Sequence, residues 1–315
     1  MTKRPVIRRD EMLTAVLDLG GGPIDLADYA TTGLVGVAVG PRGSGKTNAG
    51  LLIAEQLADQ GWVSVLVDPE LELESLYGEA MSSPGELQRC LRTRDRKILV
   101  VCAKDAEEFV PYGEAILEAA DTHRQPIFCM IDEGQLFSAV KKRKGEIGRA
   151  TDLINDFVGR GRKRALDLFM TALRYTGTVH REVFANKNLT LIGVQEDPTV
   201  WSSLAPQFRG SKISFSDVNS LSPGEFFCFS RQGVEKVKMP MAGALSKVAR
   251  RARAPKRVLP ANFSQWARAM SAIPLPRLQA LSDDVVSLMG AVAGLTPQQM
   301  VDGANALQDE LGLRT

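Results

Sequence analysis

The sequence predicts an α/β protein whose sheet is mostly parallel and covered by helices on both faces. Three observations predict this class. Short apolar runs rich in β-branched residues recur along the chain, helical periodicity fills several gaps between them, and the first run leads through a glycine-rich turn into a helical pattern. The chain has 315 residues, 44% hydrophobic and 24% charged, which is typical of a soluble globular protein with one large domain and an appendage.

The predicted elements alternate along the chain. Strands are predicted at Leu34–Val39, Val63–Val67, Ile98–Cys102, Pro126–Ile131, Leu166–Thr171 and Leu189–Val194. Apolar positions spaced at three and four residues predict helices that include Gly113–Ala120 and Glu146–Val158. After a turn at Ser222–Gly224, the runs Phe226–Ser230 and Val234–Met239 predict a β-hairpin.

The glycine-rich turn at residues 40–47 fits G-x-x-x-x-G-K-[ST], the phosphate-binding loop of nucleoside triphosphatases. Its glycines let backbone N–H groups turn toward phosphate oxygens at a helix N-terminus, where the helix dipole favours negative charge. Lys46 is expected to reach the β- and γ-phosphates, and Thr47 to place its hydroxyl on Mg²⁺. A chance glycine turn is the alternative, but the flanking strand and helix favour the loop. The predicted ATP-binding residues are Gly40, Pro41, Arg42, Gly43, Ser44, Gly45, Lys46 and Thr47.

A second motif follows the apolar run Ile127–Ile131, which ends in Asp132 and Glu133. Both carboxylates are expected at the carboxyl edge of the sheet, where ligands bind in open α/β folds. Asp132 is predicted to hold Mg²⁺, and Glu133 to orient and deprotonate the attacking water. An ordinary strand end followed by a solvated glutamate is the alternative. The phosphate-binding loop earlier in the chain favours the catalytic interpretation and ATP hydrolysis coupled to mechanical work.

With these motifs, the stretch from Leu17 to Pro240 resembles the HerA/FtsK superfamily of ATP-driven DNA translocases. The resemblance implies a RecA-like core that works as a ring-shaped hexamer on double-stranded DNA. The segment Val67–Glu72 looks like the post-strand D-P-x-G-E segment of the family, with Leu71 where glycine is usual. The Ser222-Pro223-Gly224-Glu225 turn resembles the P-G-E turn that precedes the last hairpin.

A further segment, Gly159–Arg164 followed by Leu166–Arg174, is similar to the G-R-K…A-T-Q-R segment of the family. Leu173 stands where a glutamine normally senses the γ-phosphate, so the resemblance leaves that role to Thr171 or Arg174. Arg160 or Arg162 is the candidate arginine finger across a subunit boundary, and Arg174 the candidate within its own subunit.

Basic residues are concentrated between Lys141 and Arg164, where nine of them face three acidic residues. One interpretation is a solvated basic surface. The other is a functional surface, on which Lys141–Lys144 line a DNA channel through phosphate contacts and an arginine acts as a finger. The sequence does not separate these interpretations.

The remaining reactive residues indicate no further chemistry. The four cysteines, Cys90, Cys102, Cys129 and Cys228, form no C-x-x-C pair and are expected to be free thiols. Neither His123 nor His180 has a partner at metal-ligand spacing. No run suggests a signal peptide or a transmembrane segment, which leads us to expect a cytoplasmic or virion-associated protein.

Three domains are predicted: an ATPase domain over 1–245, a basic linker over 246–275 and a helical C-terminal appendage over 276–315. Within the appendage, a capping box at Thr296–Gln299 is expected to open a helix. The resulting hypothesis is a hexameric ATPase with Mg²⁺ as its metal that moves double-stranded DNA, most like the genome-packaging ATPases of membrane-containing tailless viruses. The alternative is an ATP-gated switch or assembly factor that recruits a protein partner through the C-terminal helices. A filamentous-phage assembly ATPase is a third and less favoured option.

Overall fold

The computed structural model describes residues 14–140, 144–175, 177 and 179–247. The strands are β1 Val16–Leu17, β2 Ile24–Asp25, β3 Val35–Val39, β4 Val63–Asp68, β5 Ile98–Cys102, β6 Ile127–Ile131, β7 Leu166–Ala172, β8 Leu189–Ile192, β9 Glu225–Ser230 and β10 Gly233–Lys238. The helices are α1 Lys46–Asp59, α2 Glu74–Tyr77, α3 Pro84–Thr93, α4 Ala106–His123, α5 Gly145–Arg164, α6 Arg181–Asn186, α7 Pro198–Leu204 and α8 Phe215–Asn219.

Eight strands form the main sheet in the order β10-β9-β8-β3-β7-β6-β4-β5. The six strands from β8 to β5 pair in parallel, and β9 and β10 extend the sheet antiparallel. The predicted α/β class, its mostly parallel sheet and its terminal hairpin are therefore confirmed. The strand order places β7 between β3, which leads into the glycine-rich loop, and β6, which ends before Asp132.

Both faces of the sheet are buried because successive side chains of a strand point to opposite faces. In β4, Val63, Val65 and Val67 belong to the hydrophobic cluster that includes Phe109 of α4. The intervening Leu66 belongs to the second cluster, with the apolar residues of α1. The near-continuous hydrophobicity of the strands thus follows from helices covering both faces.

Helices α4 and α5 are longer in the structure than the sequence pattern predicted. α4 begins at an Asp105 cap whose carboxylate accepts the Glu108 N–H, so it reaches well before the predicted start at Gly113. α5 extends to Arg164 and ends on Ala165, which has a left-handed φ of 55°. The apolar stripe marks the part of a helix that packs, whereas caps and exposed turns extend beyond it.

A short β1–β2 pair, absent from the predictions, is held to α1 by side-chain amides. Gln60 accepts the Val16 N–H at 2.8 Å and donates to the Val16 carbonyl at 2.9 Å. Gln56 pairs with Asp18 in the same way, at 2.8 and 2.7 Å. Two-residue strands carry no readable periodicity, which explains why they were missed.

The cysteines and His180 take structural positions. All four cysteines are free, Cys102 being half-buried and the other three buried, as predicted. His180 is buried and caps α6. Over the described ranges, no helix is both long and apolar enough to cross a membrane. The predicted linker over 246–275 and appendage over 276–315 lie outside the described residues, apart from the first two linker positions.

Candidate nucleotide-binding site

The glycine-rich loop lies at the carboxyl end of β3, immediately before α1. Gly43 and Gly45 have φ values of 77° and 96°, which residues with a Cβ rarely adopt. A Cβ on Gly40 would lie 2.8 Å from the Ser44 Oγ, and a Cβ on Gly45 would lie 3.2 Å from the Gly224 Cα. The loop therefore depends on glycine for its backbone conformation and for the close approach of its neighbours.

The turn before the terminal hairpin packs against this loop. The Gly224 N–H donates to the Ser44 carbonyl at 2.9 Å, and the Glu225 carboxylate closes the turn by accepting the Ser222 N–H. Lys238 of β10 donates to the Pro223 carbonyl at 3.1 Å. The sequence predicted the turn but not that it supports the loop, because the contact spans 180 residues of chain.

Two polar groups of the loop fit an anion. The Ser44 Oγ is buried and has no protein partner, which is uncommon for a buried hydroxyl. Lys46 is buried and donates from Nζ to the Pro41 carbonyl at 2.9 Å. Burial lowers the pKa of the Lys46 ammonium, while Asp132 and Glu133 oppose that shift. An unpartnered hydroxyl, an ammonium group and a helix N-terminus together suit the phosphate chain of a nucleotide.

The carboxylate of Asp132 joins the loop to β7. The Thr47 hydroxyl donates to its Oδ2 at 2.9 Å, and the Thr171 hydroxyl donates to its Oδ1 at 2.5 Å. A hydroxyl and a carboxylate are the hard oxygen ligands that Mg²⁺ prefers. Because Mg²⁺ takes six oxygen ligands, an ion held by Thr47 and Asp132 would need phosphate and water oxygens as well.

Glu133 adopts a strained backbone conformation, with φ at 46°. Its N–H donates to the Thr171 hydroxyl at 2.9 Å, and its carboxylate lies 3.9 Å from Arg42. A left-handed φ costs a residue with a Cβ on the order of 1–3 kcal/mol, so the surrounding contacts must hold it in place. Thr171, which the sequence offered only as a substitute γ-phosphate sensor, therefore contacts both the Asp132 carboxylate and the Glu133 backbone. Its hydroxyl proton is already donated to Asp132.

A cleft of about 520 Å³ opens beside these residues. Its lining includes the charged residues Arg42, Glu70, Asp132 and Glu133 as well as four leucines. The volume lies within the range of small-molecule sites. The cleft therefore offers space next to Thr47 and the two carboxylates for part of a nucleotide.

The segment after β4 forms another wall of the cleft. The Asp68 carboxylate accepts the N–H groups of Glu70, Leu71 and Leu73 at 3.1, 3.1 and 2.7 Å. Leu71 has φ at 60°, the conformation for which glycine is the usual residue. The departure from the D-P-x-G-E pattern is thus a substitution at a position whose backbone still takes the glycine-type conformation.

The candidate arginines lie at opposite ends of the strands: Arg174 at the carboxyl ends, and Arg160 and Arg162 at the amino ends. Arg174 follows β7 and lines a second cleft, of about 340 Å³, with Pro41 and Arg42 of the loop. Arg160 and Arg162 belong to the last turns of α5, which ends just before β7 begins. That end of α5 lies at the amino edge of the sheet, away from the loop of the same chain. The roles of all three arginines stay predictions.

The basic stretch after β6 is partly neutralised by ion pairs. Arg149 contacts Glu114 at 2.7 Å and Glu146 at 3.1 Å, and Arg160 contacts Asp156 at 3.1 Å. Arg164 pairs with Asp121 of α4. Of the predicted DNA-contacting residues Lys141–Lys144, the first three lie outside the described residues. Counting charges in the sequence therefore overstated how much free positive charge α5 presents.

A glycine-rich loop between a strand and a helix, beside carboxylates at the same edge of a parallel sheet, defines a P-loop nucleoside-triphosphatase fold of the RecA-like kind. No protein-family model and no curated protein sequence matches the chain significantly. The structure is similar to that of the genome packaging NTPase B204 from Sulfolobus turreted icosahedral virus 2 in complex with AMPPCP, with a TM-score of 0.52 at 16% identity. That match covers 67% of this chain and 100% of B204.

Two other solved structures share the fold. The DNA-packaging ATPase B204 from Sulfolobus turreted icosahedral virus matches with a TM-score of 0.52 at 14% identity, over 65% of this chain and 97% of B204. Thermomonospora curvata EccC (ATPases 2 and 3), in complex with a signal sequence peptide, matches with a TM-score of 0.50 at 11% identity. The EccC match covers 73% of this chain and 41% of EccC. These similarities confirm the predicted RecA-like fold.

Proposed function

We propose that the chain hydrolyses ATP with Mg²⁺ and uses the energy to translocate double-stranded DNA, as a genome-packaging motor. The observation that carries the ATP-hydrolysis part of the proposal is the bonded group of Thr47, Asp132 and Thr171. It brings the loop, the end of β6 and the end of β7 together at one cleft. A structural helix cap would need neither the strained Glu133 beside it nor the unpartnered hydroxyl of Ser44.

Each residue of the site has a defined task in this proposal. Lys46 and the loop N–H groups would bind the phosphates and stabilise negative charge that builds up during transfer. Thr47 and Asp132 would hold Mg²⁺, which when bound neutralises phosphate charge. Glu133, 20% exposed at its side chain and beside the cleft, would accept a proton from the attacking water and orient it. Thr171 would hold Asp132 and Glu133 in fixed positions relative to each other.

The proposed working form is a homo-oligomer, a hexamer, in which Arg160 or Arg162 reaches the nucleotide of a neighbouring subunit and Arg174 acts within its own. The position of the α5 end, remote from its own loop, supports action across a boundary rather than in the same subunit. The fold likeness to B204, described as a DNA-packaging ATPase, supports DNA as the substrate. A motor of this kind would be cytoplasmic or associated with the virion.

The test is ATP hydrolysis by the full chain with and without double-stranded DNA of several unrelated sequences. A motor that travels over any sequence grips backbone phosphates, so stimulation should be independent of sequence. Binding should weaken steeply with salt, by about 0.9 log units per log unit for each phosphate neutralised. If the protein hydrolyses ATP but neither binds DNA nor is stimulated by it, the proposed motor function is refuted.

The alternative is an ATP-gated switch that recruits a protein through its C-terminal region. The EccC structure holds a signal sequence peptide, so this fold is compatible with protein ligands. Under the alternative, hydrolysis is slow and responds to a protein partner instead of to DNA. The same assay therefore decides between the two functions.

A further inference from the structure

The segment that follows β10, here called the strap (239–247), runs along α1. The Asn48 side chain, next to Thr47 in the loop helix, donates to the Pro240 carbonyl at 2.9 Å and accepts the Ala242 N–H at 2.8 Å. One amide thus pairs with both a donor and an acceptor of the strap backbone. Such a pair fixes the position of the strap relative to the first turn of α1.

A second side chain of α1 holds the next residues of the strap. The Glu55 carboxylate accepts the N–H groups of Gly243 and Ala244, at 2.5 and 2.9 Å, and the hydroxyl of Tyr77 at 2.8 Å. Glu55 is seven residues after Asn48, which places both side chains on the same face of the helix. Tyr77 belongs to α2, which follows the Glu70–Leu73 wall of the cleft. Glu55 therefore joins the strap to α2, the element that follows this wall in the chain.

The strap reaches the nucleotide cleft through Leu245. This side chain lines the cleft together with Leu51, Leu73 and Leu76. Leu51 is fully buried and Leu73 is nearly so, and Leu245 is half-buried. The apolar part of the cleft lining is therefore incomplete without the strap.

We propose that Asn48 and Glu55 are positioning residues of the nucleotide site, which hold the strap so that Leu245 completes the cleft. The inference rests on the proposed nucleotide binding. If the docked strap strengthens nucleotide binding by some factor, bound nucleotide must stabilise strap docking by the same factor. The strap then reports the nucleotide state of the loop to the chain that continues beyond residue 247.

The chain offers a matched control on the same helix. Gln56 and Gln60 hold β1 through the same kind of amide-to-backbone pairs that Asn48 makes with the strap. Neither glutamine lines the cleft. Gln60→Ala should therefore lose a comparable backbone clamp without changing the nucleotide site.

The experiment compares the full-length wild type, Asn48→Ala and Gln60→Ala. Calorimetry gives the Kd for AMPPCP with Mg²⁺, and hydrogen–deuterium exchange reports the amides of Ala242, Gly243 and Ala244. In the wild type, AMPPCP should slow exchange of the strap by at least about fivefold, the lower end of typical coupling. Asn48→Ala should raise the Kd by the same factor and abolish that slowing, while Gln60→Ala should leave both unchanged.

Other outcomes are equally decisive. Wild-type affinity in Asn48→Ala, or strap exchange that AMPPCP does not alter, would overturn the role of the strap and leave nucleotide binding intact. Failure of the wild type to bind AMPPCP would instead overturn the proposed function, and this inference with it. If Asn48→Ala does not fold, Leu245→Ala takes its place. That variant removes the side chain that lines the cleft and keeps the hydrogen bonds of Asn48 and Glu55 to the strap. An unchanged Kd in that variant would refute the proposal.

Discussion

The carboxyl edge of the sheet and the outer surface of α5 are both rich in charged residues, yet their charges are arranged differently. At the edge, Lys46 donates to a backbone carbonyl, and Asp132 is held by hydroxyls from two other elements. On α5, Arg149 and Arg160 are paired directly with carboxylates of their own or the adjacent helix. The edge therefore keeps its charges available to a ligand, whereas much of α5 satisfies its charges locally.

The difference follows from burial. Lys46 and Asp132 are each 9% exposed, where water cannot solvate them and a ligand gains most from meeting them. Arg149 and Arg160 of α5 are more than half exposed, where an ion pair contributes only about 0–1 kcal/mol. An exposed pair of that kind is easily exchanged for another partner. Arg160 can therefore exchange its partner without a large cost to the fold.

The largest predicted effect tests whether α5 is more than a paired surface. Replacing Arg160 and Arg162 together with alanine should lower hydrolysis by about 10³–10⁵-fold, if one of them is an arginine finger. Mixing that variant with Lys46→Ala should restore part of the rate, because each variant supplies what the other lacks. Arg149→Ala is the matched control on the same helix and should hydrolyse ATP normally. Full activity in the double variant would show that neither arginine is a finger and that the charges of α5 serve only in ion pairs.

Lys46→Ala tests the edge itself. Losing the ammonium should reduce hydrolysis by at least about 10²–10³-fold, because it removes charge stabilisation at the transferring phosphate. The fold should persist and the Tm should move little, since Nζ donates to a single loop carbonyl.

Glu133→Gln, by contrast, should keep AMPPCP affinity and lose turnover. Steady-state hydrolysis by Glu133→Gln at the wild-type rate would refute the assignment of the base.

How much of this site the sequence could predict depends on chain distance. The loop is eight consecutive residues and Asp132 follows its strand directly, so local pattern was sufficient for both. The support of the loop by Gly224, and the clamp on Asp132 by Thr171, depend on which strands are neighbours. Local periodicity carries no information on strand order. Leu71 was noticed only as a departure, because a leucine gives no sign of a left-handed backbone.

Thr171→Val sharpens the distinction between binding and positioning at the edge. Valine keeps the shape but loses the hydroxyl that donates to Asp132 and accepts from Glu133. We expect turnover to fall by about 10–100-fold and the Mg²⁺ concentration for half-maximal rate to rise, as for other residues that orient metal ligands. Thr171→Ser, which retains the hydroxyl, should recover most of both. Equal losses in the serine and valine variants would point to packing instead.

The smallest effect concerns the backbone that frames the cleft. Leu71→Gly should stabilise the fold by about 0.5–1 kcal/mol. The substitution removes about 1–2 kcal/mol of backbone strain at a left-handed residue. Part of this gain is offset because glycine loses more conformational entropy on folding. The Leu71 side chain is 43% exposed, so little apolar burial is lost. The Tm should rise by about 1–4 °C. Glu72→Gly, at a neighbouring position without a positive φ, should instead lower the Tm. A lower Tm for Leu71→Gly would show that the leucine contributes packing greater than its strain.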